Sequence, residues 1–345
     1  METLWFILVA FMLTMYVVLD GFDLGVGAIH LFVAKTDVER RSVLQAIGPV
    51  WDGNEVWLVA AAGTLFFTFP RLYGASMSGF YLPLMIVLWL LMLRGLAVEL
   101  RSRGNAVWSA LWDALFGVAS ALLPFFLGAG IANVVRGVPL NAQGYFFEPL
   151  WTDLDPRSLR PGVLDWYTVL IGGLAGTALV MHGAHFLALK TEGALQMRAR
   201  RIAARAWPAT IILAALGTAA TFFIRPGLLI NFGARPWGFV FPLIAVAGLL
   251  AVRFFGSRDR DGSSLVASGF FLAGMLASSA FALYPNVLPA TDGANSLTVS
   301  NAAAPPYGLA VGLAWWVVGM ALAVIYFVLI YRLFWGKVQP ADEGY

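Results

Sequence analysis

Asp20 and Asp23 stand three residues apart inside an apolar run, in Leu-Asp-Gly-Phe-Asp-Leu-Gly, and Asp52 and Glu55 repeat that spacing in Gly-Pro-Val-Trp-Asp-Gly-Asn-Glu-Val-Trp-Leu. A separation of three places both members of a pair on one helix face. An ionisable side chain within a membrane helix costs roughly 2.5–3.5 kcal/mol on insertion scales, so each one needs a reason to be there. Carboxylates crowded in low dielectric do not all ionise cheaply, and groups that exchange protons near neutral pH are what a proton relay requires. The competing account is structural. Asp52 and Glu55 would occupy a first helical turn, where the dipole favours anions, and Asp20 or Asp23 would pair with Arg94.

Weaker candidates surround this set. Glu99 and Asp113 fall at the cytoplasmic ends of their spans and are expected to be solvated there. His182 and His185, in Met-His-Gly-Ala-His-Phe, share a helix face. Two such histidines can bind a metal or haem, but a neighbourhood poor in carboxylates and without thiols favours a helix–helix hydrogen bond or a relay. His30 reads as structural. Trp51 and Trp57 fit a core, an interface or a partner contact equally well. With no cysteine, the chain holds no disulfide, iron–sulfur cluster, c-type haem or thiolate-bound copper. No nucleotide-binding loop, catalytic triad or zinc-protease motif occurs in a usable context. No complete active site, cofactor site or metal site is therefore expected in this chain.

The elements that carry these residues follow from composition. Of the 345 residues 60% are hydrophobic and only 12% are charged. Runs long enough to cross a bilayer fall near 4–33, 50–69, 76–98, 108–134, 164–189, 207–224, 238–255, 265–284 and 308–334. Lipid offers backbone groups no partner, so these nine spans must be helices, which predicts an all-α polytopic membrane protein. Met1-Glu2 leads straight into the first run without a basic segment, so that span is expected to be retained.

Sixteen of the 22 Lys and Arg lie on odd-numbered connections and the C-terminal tail. The positive-inside rule makes that side cytoplasmic, with the N-terminus outside and the C-terminus inside. The basic pI needs no nucleic acid or other anionic partner to explain it. Asp20 and Asp23 then lie roughly 24–29 Å from the outer start of the first helix, in the cytoplasmic half.

A single membrane domain, 1–345, is expected, with a first helical bundle over 1–135, an external loop at 136–162, and a second bundle over 163–284. A further external loop at 285–307 and a ninth helix with cytoplasmic tail at 308–345 complete it. The basic connection at 190–206 separates four spans from five, giving two four-helix bundles plus one helix. Pro83, Pro124 and Pro242 lie within spans and kink them. Gly21 with Gly25, and Gly172 with Gly176, permit close helix packing.

The runs Leu-Asp-Gly-Phe-Asp-Leu-Gly-Val-Gly (19–27), Gly-Pro-Val-Trp-Asp-Gly-Asn-Glu-Val-Trp-Leu (48–58), Phe-Tyr-Leu-Pro-Leu (80–84), Ala-Leu-Tyr-Pro-Asn-Val-Leu-Pro (282–289) and Asn-Ser-Leu-Thr-Val-Ser-Asn-Ala (295–302) resemble subunit II of cytochrome bd-type quinol oxidases. The resemblance implies a nine-helix, haem-free subunit in the bacterial cytoplasmic (inner) membrane. Its partner would be a subunit I that holds two b-type haems, one d-type haem and the quinol site, with small single-span accessory subunits and lipid as further neighbours. Such a complex oxidises quinol, reduces dioxygen to water and draws protons from the cytoplasm. Asp20, Asp23 and Asp52 carry over as proton-route residues and Glu55 more weakly, since its position resembles either Glu or Gln in the family. Arg94, Trp57 and Glu99 are candidates for support. His182 and His185 do not resemble family-wide features. Two other readings stand beside this one: a purely structural partner subunit, and a stand-alone proton-coupled transporter, which intramembrane carboxylates and kinked helices also suit.

Overall fold

A computed structural model describes residues 1–103 and 106–338; positions 104–105 and the end of the expected tail, 339–345, lie outside the described residues. The elements are α1 (Glu2–Val33), α2 (Asp37–Ile47), α3 (Trp51–Thr68), α4 (Pro70–Gly79), α5 (Tyr81–Arg103), α6 (Ser109–Arg136), α7 (Trp166–Lys190), α8 (Gly193–Ile224), α9 (Leu229–Ala234), α10 (Val240–Gly256), α11 (Asp261–Leu283) and α12 (Pro306–Leu333). Among them eight are long and apolar enough to cross a membrane, or nine when α3 and α4, bent by 120°, count as one broken span. The break falls at Phe69-Pro70, where proline ends one helix and starts the next.

Three elements depart from the expected spans. The third span begins at Tyr81 rather than near 76, because residues 70–79 form α4, turned sharply from α3. The basic connection at 190–206 is almost wholly helical: α8 starts at Gly193 and carries Arg198, Arg200, Arg201 and Arg205 on its first turns. Ala, Leu, Gln, Met and Arg in that stretch are good helix formers with no breaker among them, so the helix outruns its apolar part. The short α2 lies outside any apolar run and is started by a capping box, in which Thr36 accepts from the Glu39 amide and Glu39 accepts from the Thr36 amide.

Helices α1, α3, α5 and α6 pack as one group and α7, α8, α10 and α11 as another, joined where α1 and α6 meet α7. At that junction the backbones touch. A Cβ on Gly25 would lie 1.9 Å from the Leu179 carbonyl oxygen, and one on Gly183 would lie 2.4 Å from the Val26 nitrogen. This close crossing fixes the rotation of α1 about its axis, and with it the direction of every polar residue α1 carries.

Helix α12 stands apart, touching α1 and α3 through Trp316, Phe327 and Tyr331. None of its most apolar stretch is buried. The connections that follow α6 and α11 fold into an ordered cap. A two-stranded antiparallel sheet, β1 (Asn286–Leu288) with β2 (Leu297–Thr298), is bridged through Ala290 to Val138, over an apolar cluster that includes Trp5, Phe69, Leu288 and Leu309.

Candidate functional site

The fixed rotation of α1 points Asp20 at α5 and Asp23 at α3, with both side chains at most 1% exposed. Arg94, itself 1% exposed, comes from α5. Its Nη1 donates to Asp20 Oδ1 at 2.7 Å and its Nη2 to Glu55 Oε2 at 2.8 Å. One guanidinium thus holds carboxylates from two other helices, a two-pronged geometry that lysine does not offer. The Trp51 ring lies 5.9 Å from the guanidinium carbon, covering its face. Asp23 takes no cation. Asn54 Nδ2 donates to Asp23 Oδ2 at 2.7 Å, and the Tyr331 hydroxyl donates to Asn54 Oδ1 at 3.0 Å, so a polar chain runs from α1 through α3 to α12.

Three of the four paired carboxylates therefore meet around Arg94 and Asn54, and Asp52 does not. Its side chain is exposed on α3. The reason is helical phase: two residues turn a helix by about 200°, so with Asn54 facing α1, Asp52 faces away. Asn54 sits within the 48–58 run, where an amide carries no charge to mark it. The signal available was its phase relative to Asp52.

Trp57 is buried, with ring contacts to Phe11 and Phe327. Glu99 points outward and pairs with Arg103 one turn on, so it lies away from Arg94. Asp113 corrects the expectation of a solvated end: only 1% exposed, it accepts from His30 at 2.9 Å, Arg40 at 3.1 Å and Arg101 at 2.9 Å. Arg101 also binds Asp37 of α2. These partners come from three other helices, α1, α2 and α5, which no single apolar run could reveal.

At the far end of α6 Arg136 forms a second hub, binding Glu148 at 2.9 Å and also Asp165, which caps α7 by accepting from the Tyr167 and Thr168 amides. Burial pushes the Glu148 carboxyl up from its ordinary 4.5 to about 7, against the pull of Arg136.

Two of the three histidines are engaged by protein partners. His182 Nε2 donates to the Val18 carbonyl oxygen at 2.9 Å, leaving Nδ1 for the Ser268 hydroxyl at 2.6 Å, so it ties α7 to α1 and α11. His30 is taken by Asp113. His185 is buried, with its ring against the α10 end at Gly256. Among the described residues no three metal-ligating side chains converge.

Fold and site together define a polytopic helical membrane protein with buried charge and hydrogen-bonding groups. Residues 1–334 match the family of cytochrome bd terminal oxidase subunit II. The chain belongs to that family. It is 34% identical over 314 residues to cytochrome bd ubiquinol oxidase subunit 2 of Bacillus subtilis, covering 90% of this chain and 89% of that one. Cytochrome bd-I ubiquinol oxidase subunit 2 of Escherichia coli K12 is 28% identical over 367 residues, covering 98% and 95%. The fold matches a chain in the structure of bd oxidase from Geobacillus thermodenitrificans with TM-score 0.76 and 21% identity, over 97% and 98% of the two chains.

Proposed function

We propose that this chain is the haem-free partner in a bacterial membrane complex that oxidises quinol and reduces dioxygen to water. In this reading subunit I holds two b-type haems and one d-type haem, and the present chain stabilises it and supplies protons from the cytoplasmic side. Reduction of dioxygen consumes protons as well as electrons, and a site within the bilayer needs a polar route to the aqueous phase. The observation that carries the proposal is the Asp23–Asn54–Tyr331 chain beside the Arg94 cluster: buried groups able to hold or pass a proton lead from α1 toward α12. Asp52 is exposed on α3 and turned away from that chain, so the family resemblance alone keeps it among the proton-route residues. The chain's part is to hold and move protons; the redox chemistry belongs to the partner's haems.

The purely structural reading draws on the same geometry, because the Asp20–Arg94–Glu55 bridge clamps three helices. Asp23→Asn and Asp52→Asn separate the two readings. Proton supply predicts slowed oxygen consumption with the haem spectrum intact; a structural role predicts haem loss in proportion to activity. Full turnover in both variants would remove the proton route. Family membership leaves the stand-alone transporter without support.

A further inference from the structure

We propose that protons reach Asp23 from the cytoplasm along a hydrated seam between α1 and α6, with His30, held by Asp113, as its inlet and Ser120 as its midpoint. The inference deepens the proton-supply reading and rests on it.

Asp23, Gly27 and His30 succeed one another at spacings of four and three on one face of α1, and Asp113 and Ser120 lie two turns apart on one face of α6. The stripes meet. His30 Nε2 lies 2.9 Å from Asp113 Oδ1, and Ser120 Oγ sits against Gly27 so closely that a Cβ there would come within 2.1 Å of it. Asp23 Oδ1, Ser120 Oγ and His30 Nδ1 are all buried without a hydrogen-bond partner, on side chains at most 1% exposed. Buried polar atoms rarely go unpaired, and three in a row along one seam call for a common partner. Water suits all of them, since it donates to a carboxylate or imidazole nitrogen and accepts from a hydroxyl. The axial steps between backbone positions are short: Gly27 stands about 6 Å from Asp23 and about 4.5 Å from His30.

The cytoplasmic end opens where it should. Asp113 also binds Arg40, whose side chain is 32% exposed, and Arg101, which reaches the half-exposed Asp37 of α2. An imidazole accepts a proton at one nitrogen and releases one from the other. With Asp113 at Nε2, Nδ1 is left to hand the proton into the seam. No bond other than N–H and O–H is made or broken, and the proton taken from cytoplasmic water arrives at the Asp23 carboxyl.

The test uses the assembled oxidase, with haem content read from the visible spectrum and oxygen consumption driven by a reduced quinol in H2O and D2O. His30→Gln retains a donor for Asp113 but has no second nitrogen to complete the relay. Ser120→Ala removes a hydroxyl that no protein group binds, so assembly is undisturbed. Both variants should keep the haem bands, lose turnover roughly tenfold and show a larger solvent deuterium isotope effect, which a purely structural role would not produce. A wild-type rate and isotope effect in Ser120→Ala overturns the seam, even if His30→Gln does not assemble. Asp23→Asn in the same assay tells the two readings apart. If it is slow while Ser120→Ala is not, protons reach Asp23 another way; if it is also unaffected, the proton-supply reading itself falls.

Discussion

Arg94 Nη1 donates to Asp20 Oδ1 at 2.7 Å from side chains that are 2% and 0% exposed. Breaking a buried pair by removing one partner strands the other charge, at a cost of about 3–5 kcal/mol. Arg94→Leu should therefore lower the melting temperature of the complex and the haem recovered with it. Asp20→Asn combined with Arg94→Leu should recover part of that loss, because the stranded charge is gone. Arg94→Lys should fall between, since an ammonium does not reproduce the two parallel contacts to Asp20 and Glu55. Equal stability of Arg94→Leu and wild type would show that the pair clamps nothing.

The cap formed by the connections after α6 and α11 should respond to pH through Glu148. Its folded pKa, raised to about 7, exceeds the ordinary 4.5, so between those values the folded state keeps a proton that the unfolded state has lost. Stability then falls as pH rises across that window and levels off above it. Hydrogen exchange at the amides of the connection between α6 and α7, compared at the two ends of that window, should report faster opening at the higher pH. In Glu148→Gln, which keeps an acceptor for Arg136 and cannot ionise, the pH-dependent part should vanish. Persistence of the same pH response in that variant would place its origin elsewhere.

Helix α12 is where the partner should dock, because no residue in its most apolar stretch is buried and its inward side already meets α1 and α3. Val318 and Leu322 are exposed on the side turned away from Trp316 and Phe327. Replacing both with Trp should reduce the haem-bearing subunit recovered by affinity purification through this chain. The same double change at the exposed Val246 and Leu250 of α10, facing lipid in this arrangement, should leave recovery unchanged. Equal loss at both helices would refute the placement.

The helices and the two buried aspartates of α1 were legible in the amino-acid order, because hydropathy over about 20 residues is a strong and local signal and a carboxylate within such a run is conspicuous. Helix α2, the sharp turn at Phe69, and the extension of α8 through its arginines were not. Each depends on capping or propensity outside the apolar pattern.

Which way each polar residue faces belonged to the tertiary structure. The spacing of Asp52 and Glu55 predicts one shared helix face, yet the packing gives Glu55 to Arg94 and leaves Asp52 exposed. Only the packing of α3 on α1 sends Asn54 to Asp23 and turns Asp52 outward. The Asp113 hub was hidden for a related reason: His30, Arg40 and Arg101 are far from it along the chain and meet it only when the bundle closes. Periodicity within a helix is a property of the chain, whereas the rotation of one helix against another is set by contacts such as Gly25 against Leu179 and Gly183.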